Sequence, residues 1–167
     1  MGQSIPSLAF ETPAIGGKDS MSGTYNDIHV PPTVITFAVT TAKTDEIVSA
    51  AFKKASNYVY LIKHHPGKNN VPNYEELKDN FNTIHKYMHN GKIVSAATVK
   101  FGGLGATLAR MSFGNKIGVA VQTDEDLYGF NIGSIVVETT ESIQDPHFTL
   151  LGMTKVEPEI ILNEEKT

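Results

Sequence analysis

The chain has 167 residues, 40% of them apolar and 19% charged, and a formal charge of −4. That suits one domain with a real core, and it has the wrong sign for a general nucleic-acid or anionic-membrane binder. The absence of cysteine excludes a disulfide framework, a thiol nucleophile and a thiolate metal site. No apolar run approaches the roughly 18 residues of a spanning helix, and Met1-Gly2-Gln3-Ser4 does not open a signal peptide, so the expectation is a soluble, cytoplasmic protein.

Residues 1–12 read as an N-terminal extension with one apolar cluster, Leu8-Ala9-Phe10, suited to lie on a larger surface. Pro13–Val39 organises the rest. Its first half, Gly16-Gly17-Lys18-Asp19-Ser20-Met21-Ser22-Gly23-Thr24, reads as a loop rich in glycine and hydroxyl groups. Tyr25–His29 reads as a polar turn. After Pro31-Pro32, Thr33–Val39 is β-branched and almost wholly apolar, which predicts a strand covered on both faces.

Thr44–Ala55 stays open between a helix capped by Thr44, with Asp45 and Glu46 in its first turn, and extended chain. Asn57–Lys63 alternates as a strand, and His64–Pro72 is a loop. Asn73–Asn90 is the clearest helix: Asn73 and Glu76 have capping-box spacing, and Tyr74, Leu77, Phe81, Ile84 and Met88 share one face. Gly91 sits where a left-handed terminator is wanted. Lys92–Val99 is a strand. Gly102-Gly103 opens a second helix with Leu104, Leu108 and Met111 on one side and Gly114-Asn115 as its stop. Strands follow at Lys116–Gln122, Ile132–Thr139, Phe148–Met153 and Glu159–Leu162, with an acidic turn at Asp124–Asp126 and a frayed tail at residues 163–167. About seven strands and two helices in this order give an α/β chain with a mixed sheet.

Two stretches could hold an anion. In the first, backbone N–H groups of Gly16 and Gly17 with Lys18, Asp19, Ser20 and Ser22 could surround a phosphate. The spacing is not that of a P-loop, and a surface turn with a solvated Lys18 explains it better on spacing alone. In the second, Gly102-Gly103 opens a helix whose N-terminus suits a phosphate. Taken alone, a plain glycine turn that lets helix and strand pack closely accounts for it better. His85 and His89 are four apart on a helix, but the residues between them are Lys86, Tyr87 and Met88, so exposed helix histidines are expected. His64-His65, His29 and His147 stand in loops and turns. Asp124-Glu125-Asp126 reads as a solvated turn before a hard-cation site. No metal ligand set and no catalytic residue is assigned.

The ordered pieces PAIGGKDSMSG, VPPTVITFAV, YLIK, LKDNFNTIHKYMHNGKIVSAATVK, GGLGATLARMSFGNKIGV, GSIVVE and LLGMTK resemble phosphoribosylformylglycinamidine synthase, from about Pro13 to about Leu162. The resemblance is to the C-terminal domain of an aminoimidazole-ribonucleotide-synthase-like half. It implies a three-layer α/β/α domain over residues 13–162 with a mixed sheet, cut from a larger ATP-dependent amidotransferase. That family converts formylglycinamide ribonucleotide to formylglycinamidine ribonucleotide, using glutamine-derived ammonia, ATP and magnesium. The implied partners are the N-terminal half-domain and the glutaminase domain, or a second copy of the fragment. Gly17 and Ser20 match the glycine and serine of the family loop that approaches nucleotide and substrate phosphate; Lys18 matches the long-form lysine. Gly102-Gly103 matches an aspartate-glycine-glycine turn. The acids usual before that turn are replaced by Thr98-Val99-Lys100-Phe101, so the ligand that would hold magnesium beside a nucleotide is missing. The implied role is a structural or nucleotide-holding half, inactive alone. A stand-alone phosphate- or nucleotide-binding module and a ligand-free interaction domain are the alternatives.

Overall fold

The computed structural model describes residues 4–20, 23–31 and 33–166. They fall into two units, residues 1–43 and 44–167. In the first, helix α1 (Ser4–Ala9) precedes strand β1 (Gly16–Ser20), the short hairpin β2 (Gly23–Tyr25) and β3 (Ile28–Val30), and strand β4 (Thr33–Phe37). β1 and β4 form a two-stranded antiparallel ribbon, with Gly16 opposite Phe37 and Ser20 opposite Thr33.

Three expectations change here. Gly16–Ser20 is strand and not loop, because β4 supplies an antiparallel partner. Gly17 fits the close approach: a Cβ there would stand 2.9 Å from the Ile35 carbonyl oxygen. Tyr25–His29 is a hairpin, with Asn26 at φ 53° in its two-residue turn. Thr33–Val39 is not covered on both faces within the unit: Ile35, Phe37 and Val39 are all exposed, since a two-stranded ribbon carries no second layer of its own.

The second unit opens with a short 3₁₀ turn (Thr44–Glu46) and runs on extended, which resolves the ambiguity at residues 44–55. Strand β5 (Tyr58–Ile62), helix α2 (Tyr74–His89), strand β6 (Ile93–Thr98), helix α3 (Gly103–Phe113) and strands β7 (Gly118–Val121), β8 (Ile135–Thr139), β9 (Phe148–Lys155), β10 (Ile160–Leu162) and β11 (Glu165–Lys166) follow. They make one mixed seven-stranded sheet in the order β11-β10-β7-β9-β5-β8-β6. Only β7 and β10 run parallel among its ladders. The expected frayed tail is a hairpin: Asn163 (φ 50°) and Glu164 (φ 68°) turn the chain so that Leu162 faces Glu165. The Asn163 side chain holds the turn by accepting from the Thr123 backbone N–H at 2.9 Å.

The period of two along β5 builds the layers. Val59 and Leu61 point into a cluster with Leu104, Leu108 and Met111 of α3, joined by Val119, Val136 and Leu151. Tyr60 and Ile62 point the other way, into a cluster with Ile84 of α2, Ile93, Val137, Ile143 and Phe148. The result is the expected α/β/α sandwich.

Helix α2 keeps its predicted bounds and its predicted face apart from Phe81, with Tyr74 half-buried and Met88 packed against the core. Leu77, Asn80 and Ile84 are buried and Phe81 is exposed, because Asn80 donates to the Lys63 carbonyl at 2.9 Å and so fixes the helix against the end of β5. Half of the capping box forms: Asn73 Oδ1 accepts from the Glu76 N–H at 3.3 Å. The Asn73 N–H donates instead to His64 Nε2, while the Glu76 carboxylate turns to His65. Gly91, at φ 69°, ends the helix as expected.

Glu138 on β8 has no solvent exposure. Its carboxylate accepts from the backbone N–H groups of Lys53 (2.8 Å) and Lys54 (3.1 Å), from Asn57 Nδ2 (2.7 Å) and from Ser95 Oγ (2.9 Å). These bonds fix residues 49–57, which carry Phe52 into the core. A buried charge survives only when satisfied in this way. Glu138→Ala orphans two backbone donors and is expected to cost about 3 kcal/mol. Glu138→Gln, which keeps one acceptor, is expected to cost less. Urea unfolding of both variants checks the order.

Candidate functional site

The two glycine stretches lie in different units. Gly16, Gly17, Lys18, Asp19 and Ser20 are in β1 of the first, and Gly102 and Gly103 are at the start of α3 in the second. Ser22 lies outside the described residues, as do the side chains of Lys18, Asp19 and Ser20.

At α3 two of the first-turn backbone donors are already bonded within the fold. Gly102, the N-cap, has φ 91°, and Gly103 has φ 68°. The Gly103 N–H donates to the Lys100 carbonyl at 3.0 Å, and the Gly105 N–H to the Leu127 carbonyl at 2.8 Å. A Cβ on Gly103 would stand 2.7 Å from the Leu127 oxygen and 2.8 Å from the Tyr128 backbone. Gly103 is therefore needed for close packing against residues 127–128, whereas a Cβ on Gly102 would stand 2.6 Å from the Ala106 Cβ. Beside them Phe101 and Phe130, both exposed, meet edge to face with centroids 6.4 Å apart. Arg110 Nη2 donates to the Phe101 carbonyl at 3.0 Å.

Strand order gathers polar residues at one end of the sheet. Ile62 pairs with both Ile135 and Phe148, so the end of β5 adjoins the starts of β8 and β9. A polar cleft of about 350 Å³ lies here, lined among others by Lys63, His65, Glu76, Asp79, Glu125 and His147. Lys63 Nζ pairs with Glu125 at 2.6 Å, and His65 Nδ1 with Glu76 at 2.7 Å. His147 stands between two carboxylates: Nδ1 is 2.8 Å from Asp145 and Nε2 is 2.9 Å from Asp79 on α2. Tyr87 donates its hydroxyl to Asp145 at 3.2 Å.

These contacts set the electrostatics. The Asp79 and Asp145 carboxylates raise the pKa of His147 above its ordinary 6.5, outweighing burial. Burial pushes Asp145 and Glu76 up, but hydrogen bonds from His147 and His65 respectively carry both below their ordinary values. Burial and then the Asp145 carboxylate push the Tyr87 hydroxyl up.

The sequence placed His147 in a turn and gave it no role, since its carboxylates lie two residues away and across the fold. Asn80 was missed because its neighbours fit an apolar stripe. His85 and His89 are exposed on α2, with rings 6.4 Å apart. Among the described residues no group of three histidine or acidic side chains is placed to hold a metal ion. No helix among them is long and apolar enough to cross a membrane.

No family model matches the chain. It is 26% identical over 165 residues to the phosphoribosylformylglycinamidine synthase subunit PurL of Lactobacillus helveticus, covering 86% of this chain. The solved structure of PurLQS from Thermotoga maritima superposes with a TM-score of 0.65 at 13% identity, over 81% of this chain and 28% of that one. The fold is a PurL fold. Thermotoga maritima PurL complexed with ADP also superposes, with a TM-score of 0.56 at 12% identity over 81% of this chain and 26% of that one. The chain spans about a fifth of the length of the curated PurL that it matches.

Because Glu76 and Asp145 titrate below their ordinary 4.5 and 3.8, their contribution to stability is present above those values. It is lost as pH falls through the lowered ones. Thermal melts from pH 6 to pH 2 should show an acid limb that is shallower in Glu76→Gln than in the unaltered chain.

Proposed function

We propose that this chain is a domain of a phosphoribosylformylglycinamidine synthase, the ATP-dependent amidotransferase of purine biosynthesis, and that it serves as a structural or nucleotide-holding half. The observation that carries the reading is its similarity to PurL over most of its length, together with the shared fold. Its working partners in this reading are the rest of the synthase, including the N-terminal half-domain and the glutaminase domain. The exposed Ile15, Ile35, Phe37 and Val39 of the first unit support that: a two-stranded ribbon with so much apolar surface needs a covering layer. The isolated chain is then inactive, a cytoplasmic fragment without the machinery for turnover.

Gly16–Ser22 is the proposed phosphate contact, through the Lys18 charge and the hydroxyl groups more than the backbone that β4 engages, with Gly102-Gly103 the second candidate because the Gly103 and Gly105 N–H groups are already bonded. ATP or ADP would be the nucleotide. Thr98-Val99-Lys100-Phe101, in place of acids, argues that any magnesium here is held by the nucleotide or by another part of the synthase.

Calorimetric titration with ADP, with and without magnesium, tests the nucleotide-holding role. Saturable binding at millimolar affinity or better (about −4 kcal/mol at that limit), weakened by Lys18→Ala, is the expected result for a nucleotide-holding half. No heat with either protein would leave the structural role. Robust amidation by the chain alone would overturn the whole reading.

A further inference from the structure

The polar cleft contains one contact that only a charged ring can complete. An imidazolium donates from both nitrogens, whereas a neutral imidazole donates from one and presents a lone pair at the other. His147 has a carboxylate oxygen at each nitrogen, Asp145 at 2.8 Å and Asp79 at 2.9 Å. The two carboxylates belong to different elements: Asp145 lies in the β8–β9 connection with His147 itself, and Asp79 lies on α2. We propose that His147 is a proton-operated latch between helix α2 and the β8–β9 connection, which lets go of Asp79 and frees one wall of the cleft when its ring loses a proton.

The geometry determines which bond breaks. Asp145 is held independently, by the His147 backbone N–H at 3.0 Å and by the Tyr87 hydroxyl at 3.2 Å, so the single proton of a neutral ring stays on Nδ1. The Asp79 side chain is 69% exposed, and water replaces its lost partner at little cost. The other charged groups around the cleft are already matched. Lys63 at the end of β5 faces Glu125 of the 124–126 turn, and His65 after β5 faces Glu76 of α2. The carboxylates beside His147 favour its charged form, so the latch is closed in mild acid and opens as pH rises.

The ring and the carboxylate it releases report the contact. An NMR titration of the full chain between pH 5.5 and pH 9 should show the His147 ring signals, the Asp79 carboxylate carbon and the Asp79 amide moving with one midpoint. The amides of His147 and Phe148, which Asp145 holds at 3.0 Å, should keep their protection, as should Leu61 and Val137 in the core. In Asp79→Ala the ring should titrate at lower pH. The proposal is overturned if the Asp79 signals do not follow the ring, if the His147 midpoint is unchanged in Asp79→Ala, or if the core amides lose protection through the same step, which would be global loosening.

Discussion

Strand β5 has no solvent face, and the rest of the second unit follows from that constraint. Four consecutive side chains, Val59 to Ile62, must each find an apolar layer, and they alternate between two. One helix could satisfy only half of them. With α3 over Val59 and Leu61 and α2 over Tyr60 and Ile62, the sheet becomes the middle of a sandwich. β8, beside β5, meets the same demand with Val136 to Thr139 buried, whereas β9 on the other side leaves Leu150 and Met153 exposed. The buried polar groups obey the same logic in reverse. Glu138 is tolerated in the core because backbone and side-chain donors meet both of its oxygens, and in accepting them it fixes a segment without regular structure.

Much of this was legible in the residues. The helix from Asn73, its glycine stop, the apolar side of α3 and the places of β4 to β10 along the chain all follow from local rules that the structure obeys. What failed did so because of distant partners. The sequence shows Asn73 and Glu76 at capping-box spacing, but not that His64 and His65 would arrive to take one bond from each. Gly16–Ser20 has the composition of a loop, and only the ladder with β4 makes it a strand. The tail looked frayed because five polar residues carry no periodicity, whereas the turn at Asn163 is pinned from Thr123, forty positions earlier.

The cleft taught the same lesson about chemistry. Its residues come from the segment after β5, α2, the 124–126 turn, the β8–β9 connection and β9, so no window of sequence contains the constellation. The glycine motifs, in contrast, were visible at once but ambiguous in meaning. The geometry at α3 favours packing, through the carbonyl of Leu127 and the backbone of Tyr128.

The edges of the seven-stranded sheet bear on how such a chain behaves in solution. A bare edge strand offers a row of unpaired backbone groups to any similar chain and is a route to aggregation. Here one edge ends in the two-residue strand β11, too short to template much. At the other, Ser49 forms a parallel bridge to Ser95 and shields part of β6. The sandwich is thus guarded at both sides by its own sequence. Among the described residues the ribbon of β1 and β4 pairs with no third strand and has exposed Ile35 and Phe37 between its ends, so uncontrolled self-association would begin there.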